Sequence, residues 1–157
     1  MPTTQTVQID AFTPSDLEDF QRISYQWLSQ YHLLEEEDIR ILSHPQEVIL
    51  DPGGRIFVAR QHGHMVGTVS LIPAGEHTFE LAKMVVVPQC RGHGLGKRLM
   101  EHAIHSAKLM GAKRIILYTN SRLKEALSLY RKYGFHEVKL SGLKYQMTDI
   151  AMVLSLD

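Results

Sequence analysis

Cysteine is almost absent. Cys90 is the single thiol in 157 residues, so no intrachain disulfide is available to hold the fold, and a reducing, cytoplasmic setting is expected. Long apolar runs are missing too. The strongest, Met84 to Val87, is strand-sized, far short of the roughly 20 residues that span a bilayer. The opening Met-Pro-Thr-Thr-Gln has neither the basic start nor the apolar run of a signal peptide, so no membrane partner is expected. Excess charge of one sign is lacking as well. Lys plus Arg and Asp plus Glu number 17 each, for a formal net charge of +0, which leaves no global field to draw the chain onto nucleic acid or anionic lipid. Any basic site must be local.

What is present fits one domain over 1–157. Apolar residues make up 44% and charged residues 22%, an ordinary globular mixture with no repeat, low-complexity tract or linker. Val7 to Phe12 reads as a strand. Thr13-Pro14 then caps and starts a helix whose apolar positions Leu17, Phe20, Ile23, Trp27, Leu28 and Tyr31 mark one buried face. Glu35 to Leu42 reads as a second short helix, and His44 to Gly54, with two prolines and a Gly-Gly pair, as a loop. Arg55–Gln61 and Met65–Ile72 form a hairpin about His62-Gly63-His64, and Thr78 to Val87 is the fourth strand. Gly94 to Met110 and Leu123 to Tyr133 have helical periodicity on either side of a strand from Arg114 to Thr119. A helical crossover of this kind joins parallel neighbours. Last strands near Phe135 and from Tyr145 to Leu154 complete a mixed sheet.

The stretch Val87-Pro88-Gln89-Cys90-Arg91-Gly92-His93-Gly94-Leu95-Gly96-Lys97-Arg98-Leu99 runs from strand to helix through a glycine-rich turn. Such a turn points backbone N–H groups inward, and the helix N-terminus adds unpaired donors, so a pyrophosphate is the expected guest. Arg91, Lys97 and Arg98 add local positive charge. The mononucleotide P-loop fails because Arg91 occupies the place of its first glycine. The dinucleotide fingerprint fails in both registers, at Lys97 or at Leu99. Arg-x-x-Gly-x-Gly across Arg91, Gly94 and Gly96 instead resembles the coenzyme A motif of the GNAT family of N-acetyltransferases. Ala126 to Phe135, with Ala, Leu-Tyr and Gly-Phe at the family's intervals, resembles its fourth-helix signature.

That resemblance implies an α+β fold, an α/β/α sandwich. Its sheet is mixed and mostly antiparallel, with seven strands, a splayed parallel pair formed by the fourth and fifth, and about four flanking helices. It implies acetyl-CoA as co-substrate, held by Met84 and Val86 on the fourth strand and by Arg91, Gly92, His93, Gly94, Leu95, Gly96 and Lys97 in the turn. Glu80, eleven residues before Arg91, resembles the general base of histone-acetylating members; its other reading is an ion-pair partner, for instance of Lys83. Tyr130 resembles the tyrosine that protonates the departing thiolate, or else is a packed core aromatic. Where many relatives carry a pantetheine-contacting Asn, this chain has Leu123, and Asn120 is the nearest substitute, either at the cofactor or capping the helix with Ser121.

Nine histidines offer His62/His64 and His102/His105 as pairs, but without His-Glu-x-x-His or a cysteine cluster no metal is expected. Cys90 reads as a solvent-exposed side chain rather than a nucleophile. The acceptor, a small-molecule or peptide amine, would enter between the Trp27–Gly54 region and the last strands. The acids from Glu35 to Asp38 read there as solvated helix surface. A homodimer is left open. The reading from another class is a non-catalytic acetyl-CoA sensor, which thiol release with a suitable amine would distinguish.

Overall fold

The computed structural model describes residues 6–140 and 144–156. His62 and Gly63 both take left-handed backbone, with φ 53° and 77°, giving the two-residue turn that suits the twist of paired strands. That turn sets β2 (Arg55–Gln61) against β3 (His64–Pro73). Outside them lie β1 (Gln8–Ala11) on β2 and β4 (Thr78–Val86) on β3, both antiparallel. Beyond β4 come β5 (Arg114–Thr119), β7 (Ile150–Ser155) and β6 (His136–Val138). The seven-stranded order is β1-β2-β3-β4-β5-β7-β6, and β4–β5 is the parallel pair.

Every residue from Met65 to Ile72 is buried, because helices cover both faces of the sheet. α3 (Leu95–Leu109) covers one face and α1 (Leu17–Gln30), with α2 (Glu36–Ser43), the other. Gly67 lets α3 approach: a Cβ there would stand 3.1 Å from Leu99 Cδ1 and 3.0 Å from the Val85 carbonyl oxygen. α4 (Lys124–Lys132) follows β5. Phe20, Ile41, Leu42, Val69, Leu71, Leu99 and Met152 are fully enclosed. No helix among the described residues is long and apolar enough to cross a membrane.

Two segments differ from the sequence reading. Residues 44–54 are not all loop, since Gln46–Leu50 makes one π-helical turn, closed by Asp51 N–H donating to the Gln46 carbonyl at 2.7 Å. Pro45 before that turn costs no internal bond, and burial of Ile49 fixes it. The last strand begins at Ile150, not Tyr145. Side chains take the backbone donors in between: Glu35 accepts from the N–H groups of Gln146 and Met147 at 2.7 and 3.0 Å.

Candidate active site

β4 and β5 pair only from Thr78 to Glu80 against Arg114 to Ile116. β5 then leans onto β7, while β4 continues along β3, so the two parallel strands part beyond Glu80 and leave a β4 edge free of β5. A bulge sharpens the parting. Ala82 faces Ser70 and Val85 faces Thr68, so two residues, Lys83 and Met84, stand against the single Val69, and Lys83 takes φ 54°. The bulge breaks period-two alternation, so Met84 and Val86 do not share the Glu80–Ala82 face. Both are partly exposed, on either side of buried Val85.

A cavity of about 780 Å³, open to solvent, fills the parting. Glu80 to Val85 form one wall, Tyr118, Thr119, Asn120, Leu123 and Tyr130 another, and Trp27, Glu35, Asp38, Tyr145 and Met147 lie across it. The cavity thus draws on the first helices and the segment before β7. Ser24 Oγ, on its wall, is buried with no hydrogen-bond partner among the described residues.

Glu80 is 2% exposed. Tyr145 Oη donates to its Oε2 at 2.9 Å, and Lys144 Nζ donates to its Oε1. Burial first, and the Glu80 carboxylate second, hold the Tyr145 hydroxyl protonated far above the ordinary phenol range. The ion-pair partner of Glu80 is therefore Lys144; Lys83 pairs instead with buried Asp38. Asp38 also accepts from the Glu35 N–H at 3.1 Å. Of the acids from Glu35 to Asp38, these two are engaged in the site rather than solvated. Sequence reasoning missed Lys144, Tyr145 and the Lys83–Asp38 pair.

Tyr130, on α4, packs its ring 5.9 Å from Phe135 and lines the same cavity as Glu80. Burial pushes its hydroxyl up to about 12, so it stays protonated at neutral pH. Asn120 Nδ2 donates to the Met147 carbonyl at 2.7 Å, and its Oδ1 accepts from Arg122 N–H at 2.9 Å. It does not cap α4, whose N-cap is Leu123.

The turn after β4 lies beyond the cavity wall. Gly92 and Gly94 have φ 81° and 80°, a conformation that costs glycine little and side-chain-bearing residues much. A Cβ on either would meet no atom of the described residues within 4 Å, so among them the space in front of the α3 N-terminus is open. Gly94 is the α3 N-cap, buried Leu95 anchors the helix, and His93 and Lys97 are exposed. Arg91 Nε donates to the Val86 carbonyl at 3.1 Å, tying the turn to the open β4 edge. Cys90 is partly buried, its Sγ 3.9 Å from Gln61 Oε1. His102 stacks edge-on against Phe57, with centroids 4.5 Å apart.

The chain is similar to known proteins in sequence and in fold. The uncharacterized N-acetyltransferase YjgM of Escherichia coli K12 is 37% identical over 95 residues, covering 59% of this chain and 57% of its own length. An uncharacterized N-acetyltransferase of Schizosaccharomyces pombe is 29% identical over 130 residues, 78% of this chain and 77% of its own. A GNAT-family acetyltransferase of Staphylococcus aureus Mu50 superposes with a TM-score of 0.87 at 23% identity, over 97% of this chain and 100% of that one. The model of the Acetyltransferase (GNAT) family matches residues 12–135, a span that holds the parted strands, the glycine turn and Tyr130, and the chain accordingly belongs to the GNAT acetyltransferase family.

Proposed function

We propose that this protein is an N-acetyltransferase that moves an acetyl group from acetyl-CoA to a primary amine of a small molecule or peptide, by direct attack in a ternary complex. The parting of β4 from β5 carries the reading: it leaves strand backbone open between a buried carboxylate and a protonated tyrosine, beside a glycine turn at a helix N-terminus. The residues present fit such a donor. The turn is open in front of Gly92 and Gly94, where N–H groups and the positive helix end suit a pyrophosphate, with Arg91, His93, Leu95, Gly96 and Lys97 around it. The backbone of Met84 and Val86 suits an extended amide-bearing arm and, at its end, a thioester oxygen.

Acetyl-CoA, when bound, supplies the activated acyl carbon. Glu80 takes a proton from the acceptor ammonium, which frees the lone pair for attack. N–H groups on the β4 edge stabilise the charge that develops on the carbonyl oxygen. Tyr130 donates its proton to the departing sulfur, which its elevated hydroxyl permits throughout the working range. Asn120, held by Met147 and Arg122, shapes the cavity wall beside the pantetheine arm.

Thermal melts test the donor assignment. Ligand at a hundredfold its Kd adds about 2.7 kcal/mol, worth roughly 5–10 °C for a domain of this size. Acetyl-CoA should raise the midpoint by that order, and NAD or ATP by much less. An unmoved midpoint, or a larger rise with NAD, would remove the donor from the proposal.

A further inference from the structure

The ε-nitrogen of Lys144 lies on the carboxylate that the proposed reaction uses as base. Nζ donates to Glu80 Oε1, while Glu80 Oε2 is occupied by the Tyr145 hydroxyl. Glu80 therefore meets an amine of its own chain in the hydrogen bond an acceptor ammonium would make. The side chain does not merely stray in from the surface. Its segment is pinned, because Glu35 accepts from the N–H groups of Gln146 and Met147 and Asn120 donates to the Met147 carbonyl. Lys144 Nζ also lies 5.6 Å from the Tyr145 ring centroid, and its side chain keeps 27% exposure. Lys83, which lines the cavity, is 6% exposed and held by Asp38.

We infer that Lys144 is an internal acceptor, a site of self-acetylation within one molecule. The inference rests on reading the site as an acetyltransferase. The Lys144 ammonium gives one proton to Glu80. Its nitrogen then bonds to the acetyl carbonyl carbon, and the carbon–sulfur bond breaks. The thiolate takes a proton from Tyr130, the second amine proton returns to solvent with that held by Glu80, and solvent reprotonates Tyr130. The net products are the Lys144 amide, the free thiol and one proton. The amide carries no charge, so Glu80 loses its ion pair and keeps the Tyr145 hydrogen bond. An external amine then finds one carboxylate oxygen free, and acetylation opens the site.

The test incubates the full chain with acetyl-CoA and no added amine, then maps acetyl groups residue by residue by mass spectrometry. Lys144 should be acetylated ahead of exposed Lys97, Lys108 and Lys124, at a rate per molecule that does not change with protein concentration. Glu80→Gln should slow it by about 10²-fold while leaving the surface lysines unchanged. An acetyl already on Lys144 in the purified protein and missing from purified Glu80→Gln is the same result. Acetylation of Lys144 no faster than at the surface, or at a rate that scales with concentration, overturns the inference. Transfer to an added amine with Lys144 left bare overturns it too, and leaves the acetyltransferase reading standing. If neither Lys144 nor any added amine is acetylated and acetyl-CoA does not shift the melt, both fail.

Discussion

In the proposed reaction, Glu80 and Tyr130 divide the proton transfers between two environments. Glu80 is enclosed and accepts from two donors, Lys144 Nζ and Tyr145 Oη. Glu80→Gln keeps the shape and removes the basicity, so turnover near neutral pH should fall by about 10²-fold or more. Raising the pH should partly restore it, because more of the acceptor is already neutral as the pH nears the ~10.4 of a lysine-like amine. Wild-type turnover with an unchanged pH profile would return Glu80 to a structural role. Tyr130→Phe removes only a hydroxyl and should lower turnover by about 10²-fold, with acetyl-CoA affinity little changed. With its hydroxyl pushed up to about 12, Tyr130 should show no loss of its donor near pH ~10, where a free tyrosine ionises. A rate profile over that range, taken where chemistry limits turnover, checks this. The partners of Glu80 lie 64 and 65 residues away in sequence. Its position in a strand is readable from residue order, but no periodicity reports contacts that only the folded sheet creates.

At the scale of elements, two joints set the site. Arg60 on β2 holds buried Asp16 at the entry to α1 through two bonds of 2.7 and 2.8 Å. The bonds from Arg60, ahead of any other cause, hold the Asp16 carboxyl below its reference of 3.8. A depressed folded pKa stabilises above the unfolded value and loses that contribution as pH falls through the folded one. Asp16→Asn should therefore cost about 1.5–3 kcal/mol at pH 6–7, and the gap from wild type should close as acid protonates Asp16. Urea titrations at several pH values check this. The second joint is the α3 N-terminus. Among the described residues a Cβ on Gly96 would meet only Leu129 Cδ2, at 3.9 Å, so Gly96→Ala should fold normally and weaken acetyl-CoA binding by about tenfold or more, roughly 1.4 kcal/mol. Gly94 would be a poorer probe, since its φ of 80° makes any substitution strain the turn itself. Local chemistry made most elements legible: the hairpin turn, the α3 stripe and the strand–helix–strand crossover are written in neighbouring residues. Gln46–Leu50 was not, because Pro45, Pro52 and the glycines read as breaks while buried Ile49 closes a turn between them. Residues 145–149 were not, because Glu35 and Ser121, far away in sequence, capture their polar groups.

Across the described residues, β4 and β5 part beyond Glu80, α4 lines the opening through Tyr130, and the glycine turn follows at the end of β4. The motifs that mark this region in sequence are those whose spacing is local: Arg91 to Gly96, and Ala126 to Phe135. The acceptor wall is drawn from α1, α2 and the segment before β7, and such assembly from distant pieces leaves no local pattern to read. On these walls Asp38 pairs with Lys83, Glu80 pairs with Lys144 and Glu35 accepts from backbone N–H groups, so among the described residues the acids are committed within the chain and do not name an acceptor. The most direct measurement is thiol release from acetyl-CoA across amino acids, polyamines, aminoglycosides and peptide N-termini, with the acetylated product weighed by mass spectrometry. The expected result is thiol released in step with one acetylated amine, abolished by Glu80→Gln together with Tyr130→Phe. Stabilisation by acetyl-CoA without thiol release or acetylated amine, with every acceptor class offered, would contradict it and make the protein a sensor of its ligand.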